Sequence, residues 1–166
     1  LATRGVSDFL EHHSQLVVDR ILQLAKQVKD LTAGRLLVEA AYGYLNQTPL
    51  PRFGNNALKR LLASPYIDII GTPVSFFDKQ VGGPSNFMTI VDTIHLHGKL
   101  HCHQDDTNTW LNDPSGRGDD YNVRFYTEWD TLNALRRNFS NILVHGSKCQ
   151  WCDLHADGRF DADSIW

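Results

Sequence analysis

Hydrophobic residues recur along this chain in two patterns that alternate from the first residues to the last. Residues 7–29 carry apolar side chains at helical spacing, and residues 56–64, 88–96 and 127–146 are further predicted helices. Between the helices, apolar runs of strand length predict strands over residues 35–45, 67–76, 98–102 and 148–154. The chain is therefore a series of four helix–strand pairs.

This alternation predicts an α/β fold with a parallel sheet and crossover helices. Four such units amount to half of a (β/α)₈ TIM barrel, whose whole length is typically about 250 residues. We interpret residues 1–166 as a single partial domain that was cut from something longer. Half a barrel has two unpaired edges, so the strands over 35–45 and 148–154 should be covered by polypeptide that completes the barrel.

The composition is that of an ordinary globular domain, with 42% hydrophobic and 21% charged residues. The net charge is −3 and no long basic run occurs, which argues against a nucleic-acid partner. No apolar run approaches the roughly 20 residues of a membrane span. Glycosylation sequons at Asn46 and Asn138 favour a secreted or cell-surface protein.

The densest chemistry follows the third predicted strand. Six polar residues crowd its end: His101, His103, Gln104, Asp105, Asp106 and Thr107. Barrel enzymes carry their active sites at the carboxyl ends of the strands, so this cluster predicts a functional site.

Three segments resemble one enzyme family. VDTIHLHGKLHCHQDDTNT, residues 91–109, resembles VDSVHLHGKLWFxEDDTRT, which is typical of beta-galactosidase-like glycoside hydrolases of clan A, near family forty-two. LASPYIDIIGTPVSF resembles their sixth-strand pattern, LxSPDIDFLxSPxSY, and LRRNFSNILVHGSKCQWCDLHADGRF resembles their eighth. The resemblance covers nearly the whole chain and implies the C-terminal half of the catalytic barrel.

The resemblance also implies a retaining mechanism with two carboxylates about 5–5.5 Å apart. The family's nucleophile, a Glu that ends the seventh strand, corresponds to Gln104, and the segment of the general acid/base precedes residue 1. A carboxamide has no anionic oxygen with which to attack the anomeric carbon.

Three explanations of Gln104 are open: a naturally inactive hydrolase, an engineered variant, or a takeover by Asp105. We favour natural inactivity, because His101 and Cys102 also depart from the family pattern. Asp105 follows Gln104 directly, so on a strand it should face the other way.

Six residues are candidate sugar-binding positions: Tyr42, Tyr44, His103, Asp106, Trp151 and Asp153. The resemblance makes Trp151 a sugar platform, since apolar sugar faces stack on aromatic rings. Tyr42 and Tyr44, two residues apart on the first strand, either line the cleft or pack under a helix. For Asp106 we prefer a capping or ion-pairing role.

A metal site is the rival interpretation of the same region. Four histidines alternate in the sequence like ligands on a strand: His95, His97, His101 and His103. Other possible ligands are Cys102 and Asp106, close to the row, and Cys149 and Cys152 further along the chain. Such residues bind zinc or other transition metals, and Cys-x-x-Cys can act as a redox pair. His95 and His97 also occur in the hydrolase pattern, so they need no metal, and we predict no metal and no cofactor.

Three functions follow, and we prefer the first. It is a glycoside hydrolase-like protein that is related to retaining beta-galactosidases and has carbohydrate as its ligand. Its catalysis is impaired because Gln104 occupies the nucleophile position. The second is a non-catalytic carbohydrate-binding or structural module in a larger extracellular assembly. The third is a metal-dependent enzyme that uses the row from His95 to His103.

Overall fold

A computed structural model of the chain describes residues 2–44, 53–112, 123–154 and 156–166. Four helices and four strands alternate in it: α1 (Ala2–Thr32), β1 (Glu39–Ala41), α2 (Leu58–Ala63), β2 (Ile69–Pro73), α3 (Val91–Leu96), β3 (Leu100–Asp105), α4 (Glu128–Val144) and β4 (Lys148–Trp151). A short 3₁₀ helix, Asp163–Ile165, follows β4. None of the helices in these ranges combines the length and the apolar character of a membrane span.

The four strands form one sheet in the order β1-β2-β3-β4. The pairs β1–β2 and β3–β4 are parallel, with Glu39 opposite Ile69 in the first and Gln104 opposite Gln150 in the second. The predicted α/β fold with a parallel sheet is confirmed, and β1 and β4 are its edge strands, as expected. Four parallel strands with crossover helices are compatible with part of a barrel, which remains a proposal.

The first strand is much shorter than the predicted span of residues 35–45. Helix α1 continues to Thr32, and the next two residues turn its end through left-handed conformations, with φ of 50° at Ala33 and 73° at Gly34. Leu36 and Leu37 then lie 55% and 66% exposed before β1 begins. The apolar run therefore contains a connecting segment followed by a strand. Hydrophobicity alone does not show at which residue the pairing of the strand begins.

The chain divides into two compact units, of which the first comprises Leu1–Thr72 and Thr89–His101. Its core gathers apolar side chains from three helices and two strands: Val18, Ala25, Ala40, Tyr42, Leu61, Ile67, Ile70 and Ile94. Gly43 follows β1 against β2, where a Cβ would overlap the side chain of Thr72. Only glycine fits at this close approach.

The second unit comprises Pro73–Met88 and Cys102–Trp166. Thr127 precedes helix α4, and its hydroxyl accepts a hydrogen bond of 3.1 Å from the backbone N–H of Asp130. This is a side-chain N-cap, which satisfies one of the free donors of the first turn. The buried side of α4 includes Thr131, Leu135 and Asn138. Asn138 is the residue by which the helix reaches the end of β3.

One carboxylate joins the end of α1 to the start of the sheet in the first unit. Asp68 accepts from the Lys29 ammonium at 2.6 Å and from the backbone N–H of Val38 at 2.7 Å. Burial alone would raise the pKa of Asp68. The bonds from Lys29 and Val38 and the charges of Lys29 and Lys99 outweigh it, so the pKa lies below its usual value of 3.8.

We predict that Asp68→Ala lowers the free energy of unfolding by about 1–3 kcal/mol, because it removes one acceptor from two partly buried donors. Asp30→Ala is the matched control, since Asp30 pairs with Lys26 at an exposed position of α1. Such an exposed pair contributes little to stability, because solvent screens the two charges. Urea unfolding of the intact protein measures both, and equal losses would contradict the role given to Asp68.

Candidate functional site

Strand β3 divides the polar cluster between two faces. Successive side chains of a strand point to opposite sides, so His101, His103 and Asp105 share one face, and Cys102 and Gln104 share the other. The first three side chains are buried, with at most 2% of the surface exposed. Gln104 is half-buried.

Asp105 is held inside the second unit by its neighbours. Its Oδ1 accepts from the backbone N–H and the hydroxyl of Thr107 at 3.0 and 2.5 Å, and its Oδ2 accepts from the Asn138 amide at 2.9 Å. The residue is 0% exposed. Oδ2 therefore joins the end of β3 to α4, Oδ1 holds the residues that follow β3, and neither oxygen faces solvent. As a substitute nucleophile, Asp105 would need an opening that this arrangement lacks.

The burial of the Asn138 amide decides whether the second glycosylation sequon can carry a glycan in the folded protein. Its side chain is 2% exposed, and its Nδ2 donates both to Asp105 and, at 3.3 Å, to Thr107. A glycan on this nitrogen has no room in the folded unit. Asn138 thus gives no support to a secreted protein, and Asn46 lies outside the described residues.

His103 is an uncharged ring in a closed environment. It meets Phe87 edge to face, with ring centroids 5.2 Å apart. Burial lowers its pKa below the usual 6.5, the nearby Asp105 carboxylate raises it, and the positive charge of Lys79 lowers it. The net direction is downward, so the ring stays neutral at physiological pH. As a sugar-binding candidate, His103 would first have to become accessible.

Asp106 and Lys79 form a buried ion pair, with Lys79 Nζ 3.8 Å from Asp106 Oδ1. Lys79 is 0% exposed and Asp106 is 6% exposed. This geometry agrees with the ion-pairing role preferred for Asp106.

A further set of buried contacts surrounds Arg159, and the sequence patterns did not predict it. We call this set the clamp around Arg159. The Arg159 side chain is 0% exposed, donates twice to the Asp157 carboxylate at 3.2 Å, and donates to the backbone carbonyl of Asp106 at 2.8 Å. The candidate Asp153 belongs to the same clamp, since it accepts from the backbone N–H groups of Asp157 and Gly158. The Asp-Gly dipeptide at 157–158 was the available sequence signal, because it marks a turn.

The other face of β3 and β4 carries two amide side chains in register. Gln104 lies opposite Gln150 in the parallel ladder, so both point the same way. The Cys102 thiol donates to the side-chain Oε1 of Gln150 at 3.6 Å. The structure describes both strands in full, and their single acidic residue, Asp105, points to the opposite face. This face offers hydrogen-bonding groups without a carboxylate.

Trp151 ends β4 opposite Asp105, so by alternation it does not share the face of Gln104. Its ring stacks on Phe160 at 5.9 Å and meets the edge of Trp166 at 4.8 Å. Within the described chain, its buried indole N–H has no hydrogen-bond acceptor. The register thus places Gln104 and Trp151 on opposite faces of the sheet, and the role of Trp151 as a sugar platform stays a prediction.

The two tyrosine candidates lie in the first unit and differ from each other. Tyr42 is 1% exposed, and its hydroxyl donates to the Gly54 carbonyl at 2.7 Å and accepts from the Ala57 N–H at 2.9 Å. Tyr44 is 39% exposed and packs at a tilt on Phe53. Of the two arrangements considered, Tyr42 adopts packing under a helix, and Tyr44 is the more accessible ring.

The histidine row is not a row of strand ligands. His95 belongs to α3 and His97 is the C-cap of that helix, so only His101 and His103 lie on a strand. His101 shares a hydrogen bond of 2.8 Å with the Thr72 hydroxyl. In the described ranges, no three His, Cys, Asp or Glu side chains converge as a metal site would require. The geometric premise of the metal hypothesis was wrong, because the alternation in sequence crosses a helix end.

The Cys149–Cys152 pair also lacks the chemistry of a redox motif. All three cysteines are thiols in the structure. Burial raises the pKa of Cys149 to about 12, with the Asp105 carboxylate and the other two cysteines raising it further. A redox-active cysteine needs a stabilised thiolate, which is the opposite shift.

Comparison with known proteins gives no relatives: no family model, no curated protein and no solved structure matches the chain. The function of the chain is therefore inferred from its residues and from the geometry of the second unit.

We predict that Arg159→Met lowers the free energy of unfolding by about 3–5 kcal/mol, because it leaves Asp157 and a buried carbonyl without their donor. Arg136→Met, at an exposed position of α4, is the matched control and should change stability by about 0.5 kcal/mol or less. Denaturant unfolding of the intact protein compares the two variants. If they unfold at the same midpoint, the clamp around Arg159 is not a stabilising element.

His103 predicts a dependence of stability on pH. Its pKa is lower in the folded chain than in the unfolded chain, so the unfolded state binds the proton first as the pH falls. The contribution of His103 to the free energy of unfolding is fully present above about pH 6.5. It is lost as the pH falls from there to the pKa of His103 in the folded state. His103→Gln should flatten the slope of stability against pH between 7.5 and 5.5.

The control for this slope is His12→Gln, which removes an exposed histidine of α1 and should leave the slope in place. Thermal unfolding across the same pH series is the measurement. A slope that is equally steep in wild type and His103→Gln would count against a buried neutral ring.

Proposed function

We propose that the protein is a glycoside hydrolase-like carbohydrate binder related to retaining beta-galactosidases, in which Gln104 stands at the nucleophile position and impairs hydrolysis. The observation that carries the proposal is the face of β3 and β4 with Gln104 beside Gln150 and no carboxylate. The resemblance of the β3 segment to the family pattern supplies the substrate class.

Two neighbouring amides suit a sugar better than they suit a reaction. Each offers an acceptor oxygen and two N–H donors, and hydroxyl groups of a sugar can pair with both kinds. Neither amide can form a glycosyl ester or balance the positive charge of an oxocarbenium-like transition state. Binding without turnover is the consequence.

Asp105 gives no route around this deficit. Its oxygens are used by Thr107 and Asn138, and its side chain faces away from Gln104. Exposing it would require breaking the attachment of β3 to α4. This weakens the takeover hypothesis and favours a site that binds sugar without a nucleophile.

The alternative from another class, a non-catalytic structural module, differs in one measurable respect. A purely structural module has no reason to bind sugar at Gln104. A specific observation favours binding instead: Gln104 is half-buried and Gln150 is exposed, so both amides remain within reach of a ligand.

We expect the intact natural protein to show no turnover of aryl β-galactosides and to bind methyl β-galactoside. Gln104→Leu should weaken this binding about 2- to 10-fold, the effect of losing one hydrogen bond of about 0.5–1.5 kcal/mol. Gln104→Glu restores a carboxylate and should give turnover only where an acid/base exists upstream. General acid catalysis is worth roughly 10²–10⁴-fold, so aryl leaving groups should reveal the gain first.

Calorimetry measures the binding, and release of nitrophenol measures the turnover. Gln15→Leu, on α1, is a matched control that should leave both unchanged. Robust hydrolysis by the unmutated protein that disappears in Asp105→Asn would overturn the proposal and make Asp105 the nucleophile.

A further inference from the structure

A small cavity of about 150 Å³ lies in the second unit, away from the amide face. Helix α4 contributes Trp129, Asn133 and Arg137 to the lining, and the loop before α3 contributes Val81 and Gly82. Trp129 is 70% exposed, whereas Phe125, which also lines the cavity, is 3% exposed. The lining therefore combines an accessible indole with a buried phenyl ring.

The loop in the lining is fixed in advance by Arg137. Its five N–H groups all have acceptors: the backbone carbonyls of Lys79, Gln80 and Gly83 at 2.7–3.0 Å, and the Asn138 side-chain oxygen at 3.1 and 3.3 Å. Since a guanidinium has five donors, none is left for a ligand. Arg137 therefore builds the cavity and does not bind the occupant.

Few polar groups of the lining remain available to a ligand, and the charges of the lining cancel. Among the described residues, the exposed Asn133 has no side-chain hydrogen bond, and its amide borders the cavity. The charge of Asp130, whose Oδ2 accepts from the Thr127 hydroxyl at 2.8 Å, is opposed by that of Arg137 on the same lining. An anion or a cation gains little here, and an uncharged molecule with hydroxyl groups is favoured.

We propose that this cavity is a second carbohydrate contact site, which takes one neutral sugar ring against the indole of Trp129. The apolar face of a sugar ring stacks on an aromatic ring, and Asn133 supplies a donor and an acceptor for its hydroxyls. The volume suits a single ring, because larger ligands occupy pockets of roughly 300–1,000 Å³. The ligand class rests on the proposed function, but the residues and the cavity do not involve Gln104.

The test uses the intact protein labelled with 5-fluorotryptophan and observed by fluorine NMR. The chain has four tryptophans, and Trp129→Phe identifies the Trp129 signal by its disappearance. On titration with methyl β-galactoside, the Trp129 signal should shift and saturate, whereas the open-chain polyol sorbitol should leave it unmoved. Asn133→Ala should weaken the apparent affinity about 2- to 10-fold.

Tyr126→Ala is the matched control, because Tyr126 is 81% exposed just before α4 and does not line the cavity. It should leave the titration unchanged. A Trp129 signal that stays in place up to 100 mM methyl β-galactoside overturns the inference, as does a shift that Asn133→Ala leaves unaltered.

The two proposals fail separately. If Gln104→Leu weakens sugar binding as expected and the Trp129 signal is silent, the second site is wrong and the proposed function stands. If the Trp129 signal saturates and Gln104→Leu changes no binding, the second site stands and the proposed function is wrong.

Discussion

The buried carboxylate of Asp105 fixes the end of β3, and the arrangement of the site depends on it. Thr107 and Asn138 donate three hydrogen bonds to its two oxygens at distances of 2.5–3.0 Å. A buried charge is tolerated only when it is well hydrogen-bonded, so these contacts hold one register of the strand against α4. With Asp105 turned toward the helix, alternation turns Gln104 to the other face.

A second set of buried charges continues this pattern beyond the strand. Lys79 faces Asp106, and Arg159 links the backbone of Asp106 to the carboxylate of Asp157. Burial alone would raise the pKa of Asp157, but the hydrogen bond and the charge of Arg159 lower it below its usual value. The segment after β3 and the segment after β4 are thereby connected, which gives the polar end of this strand pair a defined shape.

The sequence was a good guide to the elements and a poor guide to their roles. Helical spacing and apolar runs predicted the order of elements and the parallel sheet, because both periodicities arise from local geometry. The same rules overextended β1, since Leu36 and Leu37 are apolar but exposed. The prediction that His95 to His103 alternate along a strand was wrong, because His95 and His97 lie at the end of helix α3, where the two-residue period of a strand does not apply. The distant partners, Asn138 for Asp105 and the Asp106 carbonyl for Arg159, lie 33 and 53 residues away in the sequence, so no local pattern could identify those two contacts.

The division of β3 also bears on the proposed function, in which Gln104 stands at a nucleophile position. Asp105 and Asp106 lie at the end of the strand, where loss of the first would leave buried donors of Thr107 and Asn138 without their acceptor, and loss of the second would remove the ion pair with Lys79. Gln104 contributes its backbone to the ladder, with its carbonyl accepting from Val74 at 2.8 Å, and any residue preserves that bond. A Glu-to-Gln difference there keeps shape and hydrogen-bonding capacity and removes only the charge. Under the proposed function, catalysis would therefore be lost more easily than the fold, because the hydrogen bonds of Asp105 and the ion pair of Asp106 hold the buried end of β3 without the side chain at position 104.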